Sequence, residues 1–173
     1  ELEITNAPRS GGVWALHNQH TDSINHMTID QAELICSQAR TLRPDCSVLI
    51  HGRGDPLTHP DVFPMIDAMK TSGIASLDIR TDLVDLIVNS TILPDQIIKS
   101  GIDILSVDVL ANSRSLYEVM TGVDGFERLL DVMQTLFSAR SNQPSNTSGA
   151  LPSPWILPRI TRCDAVYADI ESF

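Results

Sequence analysis

Long apolar runs are missing from this sequence. None approaches the ~20 residues that cross a bilayer core, and no charged-then-apolar leader opens the chain. A membrane partner and a secretory route are therefore not expected. Positive charge is scarce as well: 12 Lys and Arg stand against 22 Asp and Glu, a formal net charge of −10. With no basic run to offset that balance, a face that holds nucleic-acid phosphates is excluded. Cysteine is rarer still. Cys36, Cys46 and Cys163 are odd in number and widely spaced, which makes no disulfide framework and points to a reducing, cytoplasmic compartment. A Ser-His-Asp order, a phosphate-cradling loop and a dinucleotide fingerprint are absent too.

What remains is 173 residues with 42% hydrophobic content, enough for one domain with one core. The chain opens on Glu1 directly in a strand-like run and closes on Ala168-Asp169-Ile170-Glu171-Ser172-Phe173, a helical pattern stopped midway. Both ends read as cut, so a domain of a longer polypeptide is expected.

Leu2 to Thr5 alternates apolar and polar like a short strand, and a polar stretch to about Asn25 follows without periodicity. Thr28 or Asp30 caps a predicted helix with Ile29, Ala32, Ile35, Ala39 and Leu42 on its apolar face, ended by Pro44. Ser47 to Ile50 reads as a strand. Pro60 opens a helix carrying Val62, Met65, Ile66 and Met69, closed by Gly73. Ser76 to Arg80 is a third strand, followed by short helical segments over Val84–Val88 and Pro94–Lys99. A fourth strand spans Ile102 to Asp108. Asp124 to Ala139 is an amphipathic helix with Phe126, Leu129, Leu130, Met133 and Phe137 inward. Ser141 to Pro154 is a polar loop, expected to be mobile, and Trp155 to Thr161 is a fifth strand in which Pro158 argues for an edge or bulge.

Strand and helix alternate throughout, which predicts an α/β fold with a parallel sheet and helices outside it. Ligands on such sheets sit at the carboxyl ends of the strands. His51, Arg53, Gly54 and Asp55 follow the second strand, and Thr81 and Asp82 the third. Ser106 and Asp108 end the fourth, and Thr161, Arg162 and Asp164 follow the fifth. Gly-Arg-Gly-Asp-Pro at 52–56 also contains an adhesion tripeptide, but its place between an apolar strand and a helix start assigns it to this rim.

The stretch "GRGDPLTHPDVFPMIDAMKTSGI" resembles the second βα unit of radical S-adenosylmethionine (SAM) enzymes, where Gly-Gly-Glu-Pro leads to Leu-x-His-Pro-Asp and a helix. "GIDILSVDV" and "YEVMTGVDGFERLLDVMQTL" resemble the fourth strand and the segment after it, and "LEITN" the strand before the cluster loop. The likeness covers most of the chain in the family's order and is closest to members with a cysteine-rich C-terminal extension. It implies a partial (β/α) TIM-like barrel and SAM as the cofactor. By position, Gly54 and Asp55 match the loop that holds the SAM amino group, with Asp for the usual Glu. Thr81 and Asp82 match a Thr-Asn-Gly turn, with Leu83 for Gly, and Ser106 and Asp108 match positions near the ribose and carboxylate.

The departure lies in "TNAPRSGGVWALHNQHTDSINHM", which lacks the Cys-x3-Cys-x2-Cys that holds a four-iron cluster. Laid on that spacing are Val13, His17 and His20. The expectation is a degenerate domain without its own iron–sulfur cluster, serving as a SAM or small-ligand binding or scaffold domain that contacts other domains of the same protein. Two alternatives stand beside it. One is a working radical SAM enzyme that relies on clusters outside this segment. The other is a metal-dependent barrel enzyme in which His17, His20 and His26 join Asp55 or His59 around zinc or iron. Trp14, on the same stretch, is expected to pack in the core, with a lid or ligand-stacking role as the alternative.

Overall fold

The computed structural model describes residues 1–7, 11, 23–89, 92–143 and 152–160. Val13, Trp14, His17, His20, Thr161, Arg162, Cys163 and Asp164 lie outside these residues, as does most of the polar loop before Trp155.

Helix α1 (Ile29–Leu42) begins at a reciprocal cap: Thr28 Oγ1 accepts from the Gln31 N–H and Gln31 Oε1 from the Thr28 N–H. The cap satisfies two donors that the first helical turn leaves open. Strand β1 (Ser47–Ile50), a 3₁₀ turn (Pro56–Thr58), α2 (Val62–Thr71), β2 (Ser76–Thr81), α3 (Val84–Asn89), α4 (Pro94–Lys99), β3 (Ile104–Asp108), α5 (Arg114–Thr121), α6 (Phe126–Ser141) and β4 (Trp155–Arg159) follow. The four strands pair in chain order, all parallel. Sequential parallel strands joined by right-handed crossovers collect their helices on one face, and the sheet is an open, partial TIM-like barrel wall rather than a closed barrel.

The register sorts the two faces. Ile50, Ile79, Leu105 and Ile156 lie side by side across the sheet and join Met65, Ile66, Met69, Ile97 and Leu129 from the helices in one core. The other face carries Leu49, Asp78, Ile104 and Trp155 in one row and Arg80, Ser106 and Leu157 in the next.

Several expectations shift. Leu2 to Thr5 is not a regular strand: Leu2 bridges Ile50 in parallel on the outer side of β1, and Thr5 bridges His26 in antiparallel fashion. The second helix starts at Val62 rather than Pro60, because the 3₁₀ turn takes up the segment before it. β3 starts two residues later than Ile102, with the Asp103 carboxylate accepting from the Leu77 N–H and Lys70 Nζ at its entrance. α5 has no counterpart in the sequence reading, although Ser113 stands at its N-cap and Gly122 closes it in the left-handed conformation. On α1 the buried positions are Ala32 and Cys36, while Leu42 is 81% exposed. On α6 they are Leu129, Met133 and Leu136, with Leu130 and Phe137 close to half exposed. In both helices the true stripe follows 3.6 residues per turn, and an apolar residue one position off that stripe faces out.

Pro158 sits at the sheet edge. The Trp155 N–H bonds to the Asp103 carbonyl and the Arg159 carbonyl accepts from Val109, so residues 155, 157 and 159 point their backbone groups toward β3. Pro158 therefore falls at an outward position, where no ladder hydrogen bond is lost.

Candidate functional site

The loop from β1 to the 3₁₀ turn is built around Asp55, whose residue is 1% exposed. Its Oδ1 accepts from the Leu57 N–H at 2.9 Å, capping the turn. Its Oδ2 accepts from Thr81 Oγ1 at 2.8 Å and from the Asp82 N–H at 3.0 Å. Thr81 Oγ1 in turn accepts from the Leu83 N–H, and Asp82 Oδ1 from the Val84 N–H at the start of α3. One carboxylate thus ties the loop after β1 to the loop after β2. Leu83 holds φ at +59°, the left-handed region that favours glycine, at a strain of about 1 kcal/mol. Its side chain is buried at 1% exposure, and that burial offsets the strain.

Gly54 is required for a steric reason. A Cβ there would stand 2.4 Å from the Thr5 carbonyl oxygen and 2.6 Å from that of Ala7. The segment leaving Thr5 therefore runs backbone to backbone against this loop, a contact closed to any larger residue.

The six rim residues divide into two groups. Gly54, Asp55, Thr81 and Asp82 form the connected set just described. Ser106 and Asp108 lie apart from it, on the sheet face opposite the Ile79–Leu105 core row. There Asp108, fully buried, takes Arg80 Nε on both oxygens at 3.0 and 2.8 Å, and Ser106 Oγ donates to Asp78 Oδ2 at 3.2 Å. Asp78 and Arg80 escaped the sequence reading, although the alternation in Ser76-Leu77-Asp78-Ile79-Arg80-Thr81 signals a strand with one polar face. Burial pushes the Asp78 carboxyl above the ordinary range, against the pull of the Ser106 hydrogen bond and of Arg159 and Arg80.

Two of the proposed histidine ligands are described. His59 is buried, with Nε2 2.9 Å from the Met27 carbonyl and Nδ1 accepting from the Asp61 N–H. This pairing fixes the neutral tautomer with the proton on Nε2 and leaves no ring nitrogen for a metal. Burial holds its pKa below the usual histidine value. His26 pairs through Nδ1 with Thr5 Oγ1 and sets its ring edge-on to His59, centroids 5.0 Å apart. Among the described residues no group of three or more His, Cys, Asp or Glu is placed to hold a metal ion.

Asp55, at 1% exposure, is also closed to an adhesion receptor, which assigns the Arg-Gly-Asp tripeptide to the fold. As a grip for the SAM ammonium the same carboxylate fits poorly. A carboxylate has about four lone-pair sites, and three internal donors already use this one. Thr81 likewise both donates and accepts within the network.

No family model matches the sequence, and no curated protein matches it. Among solved structures the chain is similar to HydG, a maturase of the FeFe-hydrogenase, at 13% identity and a TM-score of 0.58, over 80% of this chain and 32% of that one. The chain thus spans about a third of that structure's length, and the likeness is one of fold: a partial barrel of parallel strands and helices.

Proposed function

We propose that this chain is a radical-SAM-like domain without an iron–sulfur cluster of its own, acting as a small-ligand binding or scaffold domain rather than as a site of reductive SAM cleavage. The observation that carries this reading is a retained fold joined to a stretch, residues 6–27, that contains no cysteine. Three thiolates at the loop after the first strand are what such a cluster needs. Cys46 precedes β1, at the opposite end of the strand from the rim, and Cys36 is buried on α1. Neither is positioned to replace them.

The rim side chains support the same reading. Asp55, Thr81 and Asp82 are engaged in holding the loops, so SAM or another small ligand would meet the rim chiefly through backbone groups. Iron and acid-labile sulfide analysis after anaerobic reconstitution tests the proposal. Background iron is the expected result, and about four iron atoms per chain, the content of one cubane cluster, would overturn it. Calorimetric titration with SAM then separates a ligand-binding role from a scaffold role.

A further inference from the structure

The helix layer is not packed evenly. α2 leans on α1, whereas α3 and α4 lean on α6. Between the two sets lies a groove of about 460 Å³, bounded by the 3₁₀ turn and by α2, α3 and α4. Asp55, Thr81 and Asp82 of the strand-end rim do not line it. Leu57 and Val62 form its buried floor, and Phe63 of α2 and Ile92 before α4 are its partly covered lips. Ile92 leads into Leu93, 60% exposed, and Val88, one turn after the groove-lining Asp85, is 53% exposed. Apolar surface thus continues outward from the groove, the mark of a face built to be covered. The charge around it is one-sided. Asp61 at the start of α2 and Asp67 one turn after Phe63 are exposed, and no ion pair engages either among the described residues. The lysines of these helices are already taken, Lys70 by Asp103 and Lys99 by Asp95.

We propose that this groove docks a basic amphipathic peptide segment of a partner protein. Its apolar side chains seat on Phe63, Ile92 and Leu93, and its lysines or arginines meet Asp61 and Asp67. Charge decides the class of occupant. The chain carries a net charge of −10, so a second copy would bring like charge to an acidic rim, whereas a basic segment is drawn to it. Shape agrees. A small molecule would fill the groove and leave Leu93 and Val88 bare, but a helix with apolar anchors three and four residues apart covers both. The proposal goes beyond the scaffold reading and does not rest on it. Iron at the rim and a peptide on the helix layer are read by separate experiments, and the failure of one leaves the other standing.

The probe is a fluorescein-labelled helical peptide about four turns long, with leucines three and four residues apart and lysines elsewhere. Its binding to the whole chain is read by fluorescence anisotropy at physiological salt. Two control peptides run beside it, one with glutamates for the lysines and one with serines for the leucines. Only the leucine–lysine peptide is expected to bind saturably. Leu93→Ser should weaken it at least about five-fold, the loss of one apolar anchor. Asp67→Lys should weaken it about five-fold, the reversal of one rim charge. Both side chains are exposed, so neither change should disturb folding. Asp131→Lys, the same reversal on α6 outside the groove, should leave the affinity unchanged. No saturable binding, equal losses in Asp67→Lys and Asp131→Lys, undiminished affinity in Leu93→Ser, or equal binding of the serine peptide overturns the proposal. A dimer in solution that Leu93→Ser dissociates overturns it as well, since the groove would then belong to a second copy.

Discussion

Replacing Asp55 by alanine separates a residue that holds two loops from one reserved for a ligand. The substitution strips the acceptor from three buried donors: the Leu57 N–H, the Thr81 hydroxyl and the Asp82 N–H. Hydrogen bonds to a charged acceptor contribute about 1.5–3 kcal/mol each. The three do not add in full, because removing a buried carboxylate also removes its desolvation cost and lets water approach the freed donors. A net loss of about 3 kcal/mol is the result, a large part of the roughly 5–15 kcal/mol that holds a domain folded. With a urea slope of about 2 kcal/mol per molar, the unfolding midpoint should fall by about 1.5 M. Circular dichroism through a urea titration reads this directly. Asp55→Asn should lie between, since it keeps one acceptor oxygen but turns an NH2 group toward donors. A midpoint within about 0.3 M of the parent, well under the shift expected from that slope, would refute the reasoning and return Asp55 to the ligand.

Two further outcomes follow from the same loops. Gly54→Ala forces a Cβ against the backbone of Thr5 and Ala7 and should cost about 1–3 kcal/mol, whereas Gly52→Ala meets only the Glu3 side chain and should cost less; equal melting temperatures for the two would contradict the packing argument. His59 is neutral in the fold, with its pKa lowered chiefly by burial. Its folded pKa therefore lies below the unfolded one, so its contribution is intact above the ordinary histidine range and is lost as pH falls through that range to the folded value. His59→Gln, which does not titrate, should show a shallower loss of stability over that interval in pH-dependent urea titrations, and an identical pH profile would count against the assignment.

Much of this molecule was legible because its signals are local. The Thr28 cap, Gly73 and Gly101 at positive φ and the apolar runs of the central strands each specify a neighbourhood of a few residues. The two helix stripes were read with Ile35, Leu42, Leu130 and Phe137 on the wrong side, because an apolar residue at a helix surface carries no mark distinguishing it from a core residue. The candidate site was legible as a set of positions but not as a set of contacts. Asp55 and Thr81 lie 26 residues apart, and only the parallel register of β1 and β2 brings them together. Leu83 was visible as a departure from a glycine position, and the backbone there keeps the left-handed turn regardless. The polar pairing on the opposite sheet face was missed because Asp78 and Arg80 look like ordinary surface polarity until the register sets them beside Ser106 and Asp108.

The proline in β4 bears on how copies of this chain treat one another. A free sheet edge offers alternate N–H groups as a template for a foreign strand. Here the middle one of three consecutive outward positions, between Ile156 and Ile160, has no N–H to offer. A strand arriving from another molecule would find its ladder interrupted after one bond, too short a run to outlast the entropy it gives up. The same residue that cost the fold nothing therefore makes the exposed side of the sheet a poor seed for aggregation, at concentrations where an unbroken Trp-Ile-Leu-x-Arg-Ile edge would invite it.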